Sequence, residues 1–250
     1  MDHAARTLGV IMAGGTGERM SRSGEVVPKP MVPVLGVPLV ERNLAALLRA
    51  GVLRVVVVVG AGPAADLVQA WATGRGAGLA AAAEGSLSVL VEPQRMGNAG
   101  ALALVSPDDP GDAMLLVFAD NLTSLDLGAV VERHGESGAD LTLAVHTEAF
   151  RLPYGVVDRT DDRVTGYREK PSVPVEVGSG VAVVGPRAVA AMRATEPPHG
   201  VTDLVRAALN AGLDVRAMPH DAAWVDVNDA SSRDRAEALV RADPAAFGDT

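Results

Sequence analysis

The stretch Leu8-Gly9-Val10-Ile11-Met12-Ala13-Gly14-Gly15-Thr16-Gly17-Glu18-Arg19-Met20, followed by Pro28-Lys29-Pro30, decides how this chain is read. Leu8 to Met12 is an apolar run of the length and composition of a buried strand. It feeds a glycine-rich loop. Glycines let backbone N–H groups approach phosphate oxygens and wrap them as an anion nest. Arg19 then supplies a planar fork of donors and Lys29 a point charge. Pro28 fixes its own φ and Pro30 biases Lys29 toward extended backbone, so the lysine is pre-positioned to meet developing charge. Strand, amide-rich loop and two cations are what a triphosphate needs. A P-loop is excluded, because Gly17 is followed by Glu18 and Arg19 rather than Lys-Ser/Thr. A dinucleotide fingerprint is excluded too, because Met20 stands where the third Gly or Ala belongs.

Outward from this stretch, strands and helices alternate. Leu39–Ala50 has helical spacing and ends at Gly51. Leu53–Val59 is continuously apolar, as a strand buried on both faces should be. The pattern predicts helices over Asp66–Ala72, Gly100–Val105 and Leu125–His134, and strands over Leu87–Val91, Ala113–Phe118 and Leu141–Val145. Residues 74–86, rich in Gly and Ala, read as a loop or frayed helix. This order predicts an α/β fold, three layers α/β/α around a mostly parallel, mixed central sheet. Beyond residue 150 the pattern changes. Tyr154–Asp158 and Arg163–Arg168 flank the turn signal Thr160-Asp161-Asp162, which predicts a hairpin. Strands at Gly180–Val184, Leu213–Met218 and Ala222–Val225 then alternate with helices near Pro186–Ala194 and Thr202–Ala211, before a last helix from Asp229 to Arg241. No linker or internal repeat divides residues 1–250, so a single domain is expected.

Composition narrows the function. The net charge is −9, from 22 basic and 31 acidic residues, which argues against nucleic acid or an anionic membrane as a main partner. An acidic protein that handles phosphate anions must gather its cations locally or use a divalent metal. Cysteine is absent, so neither a disulfide nor a thiolate site or nucleophile is available. The opening apolar run is too short for a signal peptide, and Val55 to Val59 is a buried strand rather than a membrane span. A cytoplasmic enzyme is expected. The five histidines are scattered without metal-ligand spacing and receive no role.

Ligands of open parallel sheets bind beyond the carboxyl ends of the strands. The glycine loop follows the first strand, Asp120 follows Ala113–Phe118, and Asp226 follows the strand through Trp224. Three strand ends can thus deliver a phosphate cradle and two carboxylates to one edge. Paired carboxylates suit a hard cation such as Mg²⁺, with a turn or helix cap as the lesser alternative at each aspartate.

In order along residues 8 to 240, the chain resembles the sugar-1-phosphate nucleotidyltransferases, the nucleoside-diphosphate-sugar pyrophosphorylases. Met12-Ala13-Gly14-Gly15-Thr16-Gly17-Glu18-Arg19-Met20, Pro28-Lys29-Pro30-Met31-Val32-Pro33-Val34 and Gly36-Val37-Pro38-Leu39 look like that family's signature. Gly97-Asn98-Ala99-Gly100-Ala101-Leu102 resembles its Gly-Thr-Ala-Gly-Ala-Leu segment, and Phe118-Ala119-Asp120-Asn121 its metal site. Tyr154-Gly155-Val156-Val157 and Glu169-Lys170-Pro171 resemble its sugar-phosphate site, and Trp224-Val225-Asp226-Val227 a late Trp-x-Asp element. The resemblance implies that about residues 1–145 bind nucleotide, about 146–228 bind sugar phosphate, and about 229–243 form a terminal helix. It implies Asp120 and Asp226 as Mg²⁺ ligands, with Arg19 and Lys29 as catalytic cations. Ala13, Gly14, Gly15, Thr16, Gly17, Glu92, Gly97 and Asn98 would meet the nucleotide. Gly155, Glu169, Lys170, Ser179 and Trp224 would meet the sugar phosphate; Glu169 and Lys170, adjacent in an extended segment, reach one ligand only if the backbone bends.

The implied reaction joins a nucleoside triphosphate to a sugar 1-phosphate and releases pyrophosphate. Glu92, an acceptor-only side chain, keeps dTTP, UTP and GTP open as substrates. Gly178-Ser179-Gly180 and Asn228 depart from the family pattern, which leaves room for an unusual sugar or a cyclitol phosphate. A cytidylyltransferase for another phosphorylated alcohol and a nucleotide-sugar glycosyltransferase are the rival classes. The second would want an Asp-x-Asp motif that Asp120-Asn121-Leu122 does not provide. No partner chain is implied, and a homo-oligomer stays open.

Overall fold

The computed structural model describes residues 3–14, 27–105 and 113–249. Gly15, Thr16, Gly17 and Arg19 lie outside these described residues. In chain order the strands are β1 (Thr7–Met12), β2 (Pro33–Val34), β3 (Val37–Pro38), β4 (Arg54–Val59), β5 (Ser86–Val91), β6 (Ala113–Phe118), β7 (Asn121–Thr123), β8 (Leu141–Arg151), β9 (Val156–Thr160), β10 (Arg163–Arg168), β11 (Ser172–Val184), β12 (Val215–Pro219) and β13 (Trp224–Asp226). The helices are α1 (Leu39–Arg49), α2 (Pro63–Trp71), α3 (Ala77–Ala82), α4 (Leu127–Ser137), α5 (Pro186–Arg193), α6 (Val201–Asn210) and α7 (Ala230–Ala242).

Seven strands form the main sheet in the order β12-β8-β11-β6-β1-β4-β5. β1 sits inside it, parallel to β4 and β6, with Val10 opposite both Val56 and Leu116. Only β11 runs against its neighbours β6 and β8. The inner strands read as unbroken apolar runs because both faces are covered. On one face Ile11, Val57, Leu115 and Val117 pack with Leu44 and Leu47 of α1, Val68 and Trp71 of α2, and Val130 of α4. On the other, Val10, Leu116 and Val184 pack with Val189 and Met192 of α5 and Leu204 of α6. The three-layer expectation is met. A third cluster joins Val32 and Val34 to Val225 and to Ala236 and Val240 of α7. Arg42 of α1 forks onto Asp249 at 3.0 and 3.1 Å and donates to the Val34 carbonyl, tying the chain's last described residues to this cluster. No helix of the described residues is long and apolar enough to cross a membrane.

Several expectations are corrected. Residues 74–86 are mostly helical: α2 starts earlier, with Pro63 in its first turn, and passes through a π-helical turn at Ala72–Gly76 into α3. Alanine's high helix propensity carries the segment. Gly76 lets it press on β5, since a Cβ there would lie 2.8 Å from Leu87 Cδ2. The helix expected over Gly100–Val105 is a single 3₁₀ turn, Gly100–Ala103. β8 and β11 run well beyond their expected ends because they pair with each other outside the layered core, Phe150 opposite Val173. The predicted hairpin is β9 with β10.

Candidate active site

At the carboxyl ends of β1, β5 and β6 lies a cavity of about 360 Å³. Its wall includes Met12, Ala13 and Gly14 after β1, Glu92 after β5, Phe118 and Asp120 after β6, and Lys29, Arg95, Gly97 and Asn98 from the intervening loops. The strand ends and the loops after them thus bring Ala13, Gly14, Glu92, Gly97 and Asn98, of the nucleotide-side residues read from the sequence, around one space.

Lys29 does not take the extended backbone that Pro30 favours. It opens a 3₁₀ turn over Lys29–Met31, held by Met31 N to Pro28 O at 2.8 Å and Val32 N to Lys29 O at 3.0 Å. Those two bonds outweigh the bias of the following proline. The turn aims Lys29 Nζ at Asp120, 3.4 Å from Oδ2, and at Asn228, to whose Oδ1 it donates. Asn228 in turn donates from Nδ2 to Asp226 Oδ2. Asp226 reaches this place because β13 pairs antiparallel with β7, setting Asp226 opposite Asn121, and Val227 N donates to Asp120 O at 2.9 Å. Early lysine and late carboxylates therefore share one locus.

The two carboxylates are unequal. Burial first, then the Asp120 charge, pushes the Asp226 carboxyl up from its ordinary value, with Asn228 and Lys29 opposing. Among the described residues its Oδ1 is buried without a hydrogen-bond partner. A buried, unpaired carboxylate oxygen beside a second carboxylate is costly unless a cation completes it. The pair fits a hard divalent cation, which takes one or two carboxylates and fills its remaining positions with phosphate and water. The described residues contain no cluster of three or more His, Cys, Asp or Glu side chains able to hold a metal ion.

Glu92 is buried, and burial pushes its carboxyl up as well. Among the described residues Oε1 has no hydrogen-bond partner, and a Cβ on Gly14 would stand 3.1 Å from Oε2. Gly97 and Asn98 also serve the fold. Gly97 has φ +88°, and a Cβ there would collide with the His199 carbonyl at 2.3 Å. Asn98 Oδ1 accepts from Val201 N at 2.9 Å, at the start of α6. Arg95 was not singled out in the sequence. Its only signal is a cation three residues after Glu92.

None of the residues expected to meet the sugar phosphate lines this cavity. Gly155 packs under Tyr167, whose hydroxyl would lie 1.9 Å from an added Cβ and donates to Glu169 Oε2 at 3.1 Å. Glu169 and Lys170 are exposed, and the bend that would let both face one ligand falls at Lys170 itself, with φ +43°. Such left-handed backbone in a non-glycine residue is strained and is enriched at ligand sites. Trp224 donates from Nε1 to the Ser179 carbonyl at 2.8 Å, and its ring lies 4.5 Å from that of His146. Ser179 does not open onto solvent in this structure. It is fully buried, and its hydroxyl sits between His146 Nδ1 at 2.8 Å and His220 Nε2 at 2.7 Å. Two of the histidines given no role, His146 and His220, thus hold the Ser179 hydroxyl beside Trp224. The signal for His146 was the period-2 pattern of β8, which turns it to the same face as Ala144.

The sequence model of the family described as Nucleotidyl transferase matches residues 8–241. The UTP--glucose-1-phosphate uridylyltransferase of Synechocystis is 29% identical over 231 residues, covering 87% of this chain and 59% of that protein. The D-glycero-alpha-D-manno-heptose 1-phosphate guanylyltransferase of Aneurinibacillus thermoaerophilus is 27% identical over 161 residues, covering 64% of this chain and 66% of that protein. The chain thus matches less than two thirds of the length of either relative. Among solved structures, a Bacillus anthracis protein provisionally named a glucose-1-phosphate thymidylyltransferase superposes with a TM-score of 0.73 at 22% identity, over 94% of this chain and 95% of that one. That likeness is one of fold.

Proposed function

Because the chain belongs to the nucleotidyl transferase family, we propose that it condenses a nucleoside triphosphate with a sugar 1-phosphate, or a sugar-like cyclitol phosphate, to give a nucleotide sugar and pyrophosphate. The observation that carries this reading is the meeting of Lys29 with Asp120, and through Asn228 with Asp226, at the mouth of a cavity at the strand ends. The relatives' names, a uridylyltransferase and a guanylyltransferase of sugar phosphates, agree with it. On this reading dTTP, UTP and GTP are the candidate nucleotides, and the reaction belongs in the cytoplasm.

An oxygen of the sugar phosphate attacks the α-phosphorus in line. The new P–O bond forms as the bond from the α-phosphorus to the bridging oxygen of the β-phosphate breaks, and pyrophosphate leaves with that electron pair. No covalent nucleophile is required, since positioning and charge neutralisation carry such transfers. Lys29 takes the α-phosphate, exchanging its Asp120 and Asn228 contacts for phosphate oxygens. Arg19 holds the departing pyrophosphate. Lys170 holds the incoming phosphate, Glu169 the sugar hydroxyls, and the Gly155 backbone and Trp224 flank the ring. Ser179, through its carbonyl, positions Trp224 rather than touching substrate. Asp120 and Asp226 are the residues that would hold Mg²⁺, which when bound neutralises phosphate charge.

The test is incubation of the pure protein with each nucleoside triphosphate and a panel of sugar 1-phosphates, with release of pyrophosphate measured. Release that requires both substrates supports the proposal. Triphosphate hydrolysis indifferent to every sugar phosphate, or no release with any pair, ends it.

A further inference from the structure

Glu92 is the one residue of the cavity whose chemistry is incomplete in a way that specifies a ligand edge. It is buried at the end of β5, backs onto Gly14, and leaves Oε1 enclosed without a donor among the described residues. Its neighbour on the wall, Arg95, is a cation with no partner recorded among the described residues, and Lys29 lines the same space. An unpaired buried acceptor costs the full desolvation of that group, so the group that enters must bring donors.

The bases differ in what they offer. Guanine presents N1–H and N2–H side by side, two donors for the two oxygens of one carboxylate, and carries its O6 and N7 acceptors on the adjoining edge. Uracil and thymine present a single N3–H between two carbonyl oxygens, so one carboxylate oxygen would always face a carbonyl. Cytosine and adenine pair an amino donor with a ring-nitrogen acceptor, which a carboxylate matches only by half. We propose that Glu92 makes guanine the base this cavity selects, with Arg95 on the acceptor edge. The inference rests on the nucleotidyl-transfer reading above and adds the identity of its nucleotide.

The Glu92→Gln variant keeps the side chain's shape and removes a charge that burial already disfavours, so it is expected to fold. A carboxamide offers one acceptor and one donor. That matches N3–H with O4 of uracil or thymine and sets an amino group against the donors of guanine. Calorimetric titration of wild type and E92Q with GTP, UTP, dTTP, CTP and ATP reads the base directly, and pyrophosphate release with each follows turnover. In the wild type GTP is expected to bind about 10–100-fold more tightly than UTP or dTTP, the discrimination typical of one good bidentate pair. In E92Q that order is expected to collapse or invert. A wild type that prefers a pyrimidine or adenine nucleotide, or an E92Q variant that retains the GTP preference, overturns the assignment of Glu92 and leaves nucleotidyl transfer standing. Failure of every triphosphate to bind removes both.

Discussion

Lys29 is half-buried between an acid at 3.4 Å and an amide, a setting that keeps its ammonium aimed before any phosphate arrives. Preorganised charge of this kind is worth most where charge develops in the transition state. Lys29→Ala is expected to lower kcat by about 10²–10³ with the fold intact by circular dichroism; unchanged turnover would remove Lys29 from the chemistry. Asp226 carries the opposite bargain. Its raised carboxyl means that, once ionised, the side chain weighs against the folded state above its own titration point and ceases to do so below it. Asp226→Asn is therefore expected to raise Tm at neutral pH by about 2–4 °C, the scale of about 1 kcal/mol in a chain of this size, while turnover falls. The gain should fade as the pH drops through the raised titration range. A lower Tm at neutral pH would contradict the reading of a strained, cation-seeking acid.

At the scale of elements, the passage from α2 to α3 is held by one buried acid. Glu41 of α1 accepts from Trp71 Nε1 at 3.2 Å and from Arg75 Nε and Nη2, both at 2.6 Å. These donors, Arg75 foremost, hold its carboxyl below the ordinary value of 4.5 against the opposing effect of burial. A lowered carboxylate contributes stability that is fully present above 4.5 and is lost as the pH falls through its lowered folded value. Glu41→Gln is expected to lower Tm at neutral pH, with the gap to wild type closing in acid; a gap independent of pH would assign the contact to shape alone. The same scale explains why the segment read as a loop or frayed helix is helical. Gly74, Gly76 and Gly78 suggested a loop, yet the helix persists because Arg75 and Trp71 on successive turns both find Glu41 across the face of α1.

For the whole molecule, the sheet gathers the cavity's wall from residues 12 to 120, while β13 and the turn after it bring Asp226 and Asn228 from the far end of the chain to Lys29 and Asp120 on that wall. On the reading that Asp120 and Asp226 hold Mg²⁺ for the reaction, chelation with EDTA is expected to stop turnover and leave the Tm essentially unchanged. Added triphosphate at about 100 times its Kd should raise stability by about 2.7 kcal/mol. Unfolding on chelation would make the metal structural. The amino-acid sequence by itself determined the layered sheet, the strand after which each functional loop falls, and the candidacy of Lys29, Asp120 and Asp226. Apolar runs, glycines and prolines act on their own neighbourhood and can be read there. Only the tertiary structure decided that Lys29 meets Asn228, 199 positions away, and that Ser179 is enclosed by two histidines. Those are contacts between side chains on different elements, set by strand order and register, and no local pattern encodes which distant partner will fill a given space.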